Sequence, residues 1–142
     1  LEKDKQYQVT DTIRQGMASF YGGSCTVEET NKTIGRVFEK EGYLMDTHTA
    51  VAYKVYEEYL AETGDSTPTL IASTASAYKF ADSVAEAIGL PKEEDEFAYI
   101  EAVHQATGVR IPKELQGLKE KPIRHNQVLS IDEMKEAVRG AV

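Results

Sequence analysis

The sequence of 142 residues predicts a mostly α-helical chain with one to three short strands. Apolar residues recur along most of the chain at a spacing of three and four, which is typical of amphipathic helices. Capping residues and glycines bound most of these stretches, as they do at helix ends. One short apolar run, Leu70–Ala72, follows Pro68 and is the best candidate for a strand.

Three helices are predicted before the candidate strand. Thr26 and Glu29 have the spacing of a capping box, in which each residue satisfies a backbone N–H of the other. Glycine is favoured just past the end of a helix, because it adopts the left-handed conformation needed there. The predicted bounds in chain order are Asp11 to Gly22-Gly23, Thr26 to Gly42, and Asp46 or Thr47 to Gly64.

Three further helices are predicted after the candidate strand. Acidic residues crowd the start of the middle one, where the helix dipole favours negative charge. Ser130 and Glu133 repeat the capping-box spacing before the last one. The predicted helices run from about Tyr78 to Ile88, from Glu93–Glu96 to Gly108, and onward from Ser130. No repeat or linker interrupts the chain, so residues 1–142 are predicted to form a single unit.

The candidate strand raises a question of hydrogen bonding. A lone buried strand would leave its backbone donors and acceptors unpaired. Either the chain contains further strands, or Leu70–Ala72 joins a sheet supplied by residues outside this sequence.

Composition indicates a piece of a cytoplasmic protein. The chain has 24 acidic and 16 basic residues and a formal charge of −8, which argues against a nucleic-acid partner. No apolar run approaches the roughly 20 residues that span a bilayer, so no membrane partner is expected. Cys25 is alone, which predicts neither a disulfide framework nor a metal site. The chain begins at Leu1 without a leader, which favours a fragment of a larger protein.

Two segments carry a family resemblance. Gly42–Tyr53 reads GYLMDTHTAVAY, and Thr69–Phe80 reads TLIASTASAYKF. In this order they resemble two stretches of the longer, yeast-and-enterobacterial type of threonine synthase, GY-(I/L)-L-D-P-H-T-A-V-G and (L/S)-S-T-A-H-P-A-K-F. The resemblance extends along the chain but matches only the final part of the family sequence, so the chain is identified as a C-terminal portion.

The resemblance implies a fold and a reaction for the parent protein. The fold is the α/β fold of type II, tryptophan-synthase β-like enzymes, which use pyridoxal phosphate. The reaction converts O-phospho-L-homoserine and water to L-threonine and phosphate. The Schiff-base lysine and the Gly-rich phosphate loop of this family lie upstream, so no catalytic residue is expected in this chain. The missing catalytic domain is the expected partner, and the chain alone is expected to be inactive and to bind the cofactor weakly.

The same resemblance implies the site residues. Thr74 matches the hydroxyl that faces the pyridine nitrogen of the cofactor, and Ser73 is the reserve candidate. Ser76 and Lys79 are weaker candidates for substrate contact, since Ser76 stands where the family has histidine. A structural alternative is that Ser73 and Thr74 only cap the following helix.

Two other interpretations remain open. A free-standing acidic helical interaction module without catalysis would fit the charge and the helical pattern. A different type II enzyme, such as a serine or threonine dehydratase, is disfavoured by the stretch from Gly42 to Tyr53.

Overall fold

A computed structural model of the chain describes residues 6–124 and 126–141. It contains two compact units, one that extends to Pro112 and one that begins at Lys113. None of the helices in these residues is both long and apolar enough to cross a bilayer. The α-helices are α1 Asp11–Gly16, α2 Val27–Glu41, α3 Thr47–Thr63, α4 Ala81–Ala87, α5 Glu96–Thr107 and α6 Ile131–Gly140. Short 3-10 helices cover Met17–Ser19 and Ala77–Phe80.

Local capping chemistry sets the helix ends. The predicted capping box of α2 is confirmed, because Thr26 and Glu29 exchange side-chain to backbone hydrogen bonds. Of the two residues predicted to start α3, Asp46 is the N-cap. The first helix differs from prediction, since Thr10 rather than Asp11 is its N-cap. Glycines end α2, α3 and α5 with φ values of 67° to 69°.

The predicted strand is absent, and the predicted α/β class is wrong for this chain. Within the described residues there is no strand, so this part of the chain is all-α. Leu70–Ala72 lies instead in an irregular connection between α3 and the 3-10 helix at Ala77–Phe80. A strand exists only when a neighbour completes its ladder, and Leu70 has no such neighbour and is 100% exposed.

The core of the first unit lies between four helices. Helix α2 packs against α3 and α4, and α4 packs against α5. Ile34, Val84 and Val103 are fully buried in these contacts. Tyr78 is also buried, and its hydroxyl donates a hydrogen bond to the carbonyl oxygen of Val109. The start of the 3-10 helix is thereby fixed to the helical core.

Candidate functional site

The four predicted site residues lie on one segment between α3 and α4. Ser73 and Thr74 belong to the irregular connection, Ser76 caps the 3-10 helix, and Lys79 lies within that helix. All four are exposed. The geometry of the segment is set by two aspartates, one near each end of the connection.

Asp65 organises the start of the connection. Its carboxylate accepts hydrogen bonds from the Tyr59 hydroxyl at 2.7 Å and from the Thr67 hydroxyl at 2.6 Å. The backbone N–H of Thr67 is a third donor, at 3.0 Å. The hydroxyl of Thr67, followed by that of Tyr59, lowers the pKa of Asp65 from 3.8 to about 2, because these bonds favour the ionised form.

We expect an NMR pH titration to find the pKa of the Asp65 carboxyl group near 2. Thr67→Ala should raise that pKa toward 3.8, because it removes the hydroxyl with the largest effect. A lowered pKa stabilises the folded chain above pH 3.8, and this contribution is lost as the pH falls toward 2. Thr69→Ala is the control, since the Thr69 hydroxyl bonds the Thr67 carbonyl instead. An unchanged pKa in Thr67→Ala would contradict the geometry.

Asp46 organises the end of the connection from the start of α3. This residue is 1% exposed, and one carboxylate oxygen accepts the N–H groups of His48 and Thr49 at 2.9 and 3.3 Å. The other oxygen accepts the Thr49 hydroxyl. Burial acts to raise the pKa of Asp46, but these hydrogen bonds outweigh burial and hold the pKa below 3.8.

Ser73 is connected to this buried carboxylate. Its hydroxyl oxygen lies 3.0 Å from that of Thr49 and 3.5 Å from the carboxylate of Asp46. A ring contact between His48 and Phe80, with centroids 5.2 Å apart, joins the same two segments a second time. The segments that carry the family resemblance are therefore in direct contact.

Thr74 and its neighbours differ in what their side chains already bind. Thr74 makes no hydrogen bond to any described part of the chain. Ser76 accepts the N–H of Tyr78 at 3.3 Å and is the cap of the 3-10 helix. The structural alternative, in which Ser73 and Thr74 cap this helix, is therefore not what the structure has. The ammonium group of Lys79 lies 5.3 Å from the ring centroid of Phe80. Thr74 thus has a hydroxyl that is available to a ligand.

A groove of about 960 Å³ with a mixed polar and apolar lining adjoins the connection. Its walls are residues 18–23, one face of α3 and residues 69–72. Phe20 and Leu70 are 77% and 100% exposed on its rim. Gly23 packs tightly on α3, because a Cβ there would lie 2.8 Å from Val55. Gly23 thus serves close packing, whereas a Cβ at Gly22 would meet nothing within 4 Å.

The role of Asp46 and Thr49 in holding Ser73 was not predicted. Asp46 was recognised only as a helix cap, and its partner Ser73 is 27 residues away. A contact at that separation depends on how α3 and the connection pack together. Neither residue type nor spacing carries a signal for it.

Comparison with known proteins gives a consistent result. The family described as "Threonine synthase, C-terminal" matches residues 49–141. Threonine synthase of Saccharomyces cerevisiae is 33% identical over 94 residues, covering 62% of this chain and 18% of that protein. Threonine synthase-like 2 of Xenopus laevis is 30% identical over 122 residues, covering 84% of this chain and 22% of that protein. Threonine synthase-like 1 of Mus musculus is 38% identical over 71 residues, covering 50% of this chain and 9% of that protein. The chain therefore spans less than a quarter of the length of each of these relatives.

Proposed function

Because this chain belongs to the threonine synthase family through its C-terminal domain, we propose that it completes the pyridoxal phosphate site of a threonine synthase. In this proposal the Thr74 hydroxyl contacts the ring nitrogen of the cofactor. The observation that supports it is the exposed Thr74 hydroxyl, which has no hydrogen-bond partner in the described part of the chain. Ser73 is the weaker candidate, because its hydroxyl is already held by Thr49.

The hydroxyl of Thr74 fits one part of the cofactor, the pyridine nitrogen of its ring. A hydroxyl can hydrogen-bond a pyridine nitrogen without forcing it to stay protonated, whereas a carboxylate would favour the charged form. When bound, the cofactor supplies an electron sink for the reacting carbon. Gly23 is packed against α3. As the family resemblance implies, the phosphate group and the catalytic lysine are assigned to the upstream part of the parent protein.

The proposed reaction of the parent protein is conversion of O-phospho-L-homoserine and water to L-threonine and phosphate. Lys79 is exposed five residues after Thr74, and its ammonium group suits an anionic substrate. Ser76 has a hydroxyl proton left after capping the 3-10 helix, so it can donate one hydrogen bond to substrate. Both residues are proposed to bind substrate rather than to transfer protons.

The exposed apolar rim of this groove supports the proposed partner. Phe20 and Leu70 are large apolar residues that are mostly exposed, and Leu70 lies four residues before Thr74. In this proposal the partner that brings the cofactor to Thr74 also covers this rim. We therefore assign the groove to contact with the catalytic part of the same polypeptide, which would remove this apolar surface from water.

Cofactor trapping tests the proposal. We expect the chain alone to release no phosphate from O-phospho-L-homoserine. Borohydride treatment with pyridoxal phosphate should leave no single, fully modified lysine, because the catalytic lysine is assigned upstream. The parent protein is the matched control and should show both properties. One fully modified lysine in the chain alone would contradict the assignment of the catalytic lysine to the upstream part of the parent protein. A parent protein with neither property would favour the alternative, an acidic helical interaction module.

A further inference from the structure

We infer that Asp46 and Thr49 are positioning residues for Thr74, acting through the hydroxyl of Ser73. This inference rests on the proposed cofactor contact of Thr74. It assigns a role to a buried carboxylate that would otherwise serve only as the cap of α3.

The direction of the hydrogen bonds follows from their donors. An ionised carboxylate can only accept, and a threonine hydroxyl has a single proton. Thr49 therefore donates to Asp46, and Ser73 donates to Thr49 across 3.0 Å. The direct distance from Ser73 to Asp46 is 3.5 Å, at the outer limit of a hydrogen bond. Thr49 is consequently the main link between the buried carboxylate and the connection.

The connection depends on this link because it has little else to hold it. Residues 66–75 form no backbone-to-backbone hydrogen bond with one another or with other described residues. The side-chain bonds at Thr67 and Thr69 lie near the start of the connection. Downstream, the chain is fixed at Ala77 and Tyr78, which are buried. Ser73 is the nearest point of attachment on the upstream side of Thr74. The attachments on the two sides enclose Thr74 within a short span.

A buried carboxylate is a suitable anchor for this purpose. Asp46 is held by two backbone N–H groups of α3, so its position follows that of the helix. Charge-assisted hydrogen bonds are shorter and stronger than neutral ones. Thr49 is itself buried, with 6% of the residue exposed, so water competes weakly for its hydroxyl. A rigid helix thereby supports a residue on an irregular segment.

Backbone relaxation measured by NMR on the chain alone tests the inference. We expect the wild-type amides of Ser73 and Thr74 to have order parameters close to those of a rigid backbone, about 0.85. Thr49→Val removes the hydroxyl with little change in shape and leaves the Asp46 cap in place. The order parameters at Ser73 and Thr74 should then fall below about 0.6. Thr49→Ser keeps a hydroxyl and should retain the wild-type values.

Two further variants separate a local effect from a general one. Thr33→Val is the matched control, because Thr33 is 3% exposed and its hydroxyl bonds only the Glu29 carbonyl of its own helix. It should leave Thr74 unchanged. Ser73→Ala cuts the same link at an exposed residue, so it remains informative if Thr49→Val fails to fold. Equal order at Thr74 in wild type and Ser73→Ala, or a wild-type value below about 0.6, would overturn the inference.

The parent protein tests the consequence for catalysis. Thr49→Val should lower kcat by up to about a hundredfold, since a misplacement of 1 Å has such an effect. KM for O-phospho-L-homoserine should change much less, because Thr49 does not contact substrate. Loss of order with kcat unchanged would show that the link does not position a cofactor contact. If Thr74→Ala also leaves kcat unchanged, the cofactor contact itself is what fails.

Discussion

Thr74→Ala in the parent protein should lower turnover by roughly ten- to a hundredfold while leaving stability almost unchanged. The proposed hydrogen bond from Thr74 to the cofactor ring, which this variant would remove, is worth about 1–3 kcal/mol where it is felt in the transition state. Thr74 is exposed and packs against little, so the free energy of unfolding should change by no more than about 0.5 kcal/mol. Steady-state kinetics and thermal unfolding measure the two quantities separately.

Two variants at the same position show which atom matters. Thr74→Val keeps the shape and loses the hydroxyl, so it should be as impaired as Thr74→Ala. Thr74→Ser keeps the hydroxyl and should recover most of the turnover. The absorbance spectrum of the bound cofactor should shift in the first variant and stay near wild type in the second, because it responds to the environment of the ring nitrogen. Full activity in Thr74→Val would contradict the proposal that the Thr74 hydroxyl contacts the cofactor.

Features set by neighbouring residues could be predicted from the sequence. The capping box of α2 and the glycine ends of α2, α3 and α5 depend on residues within one helical turn. The family could also be predicted, because each of the two segments that resemble it, Gly42–Tyr53 and Thr69–Phe80, is an unbroken stretch of sequence. The region that matches the family, residues 49–141, contains the second segment completely. In each case the signal and the structure that it specifies lie in the same short stretch.

Features that depend on distant residues could not be predicted. Leu70–Ala72 has the composition of a strand, yet no described residue pairs with it, and the segment is irregular. Composition indicates suitability for a sheet, whereas a sheet requires a neighbour. The link from Asp46 to Ser73 could not be predicted either, because it also depends on a distant residue. It joins positions 27 residues apart whose contact is created by packing.

Gly35→Ala in the first unit should lower the free energy of unfolding by about 1–2 kcal/mol. Alanine is favoured over glycine inside a helix by about 1 kcal/mol, so propensity alone predicts the opposite sign. Gly35, however, lies where α2 meets α4, and a Cβ there would be 2.5 Å from the carbonyl oxygen of Ala87. That oxygen belongs to the backbone, so the two helices must move apart.

The steric effect outweighs propensity because the neighbouring core is tightly packed. Ile34 and Val84, on the same pair of helices, are fully buried, and separating the helices would loosen both. Overpacking a core typically destabilises a protein by about 1–3 kcal/mol. Gly16→Ala is the control, since Gly16 ends α1 in open space and the substitution there should be neutral or stabilising. Denaturant unfolding of both variants compares them directly. If the two variants have the same free energy of unfolding, the close contact between α2 and α4 at Gly35 is contradicted.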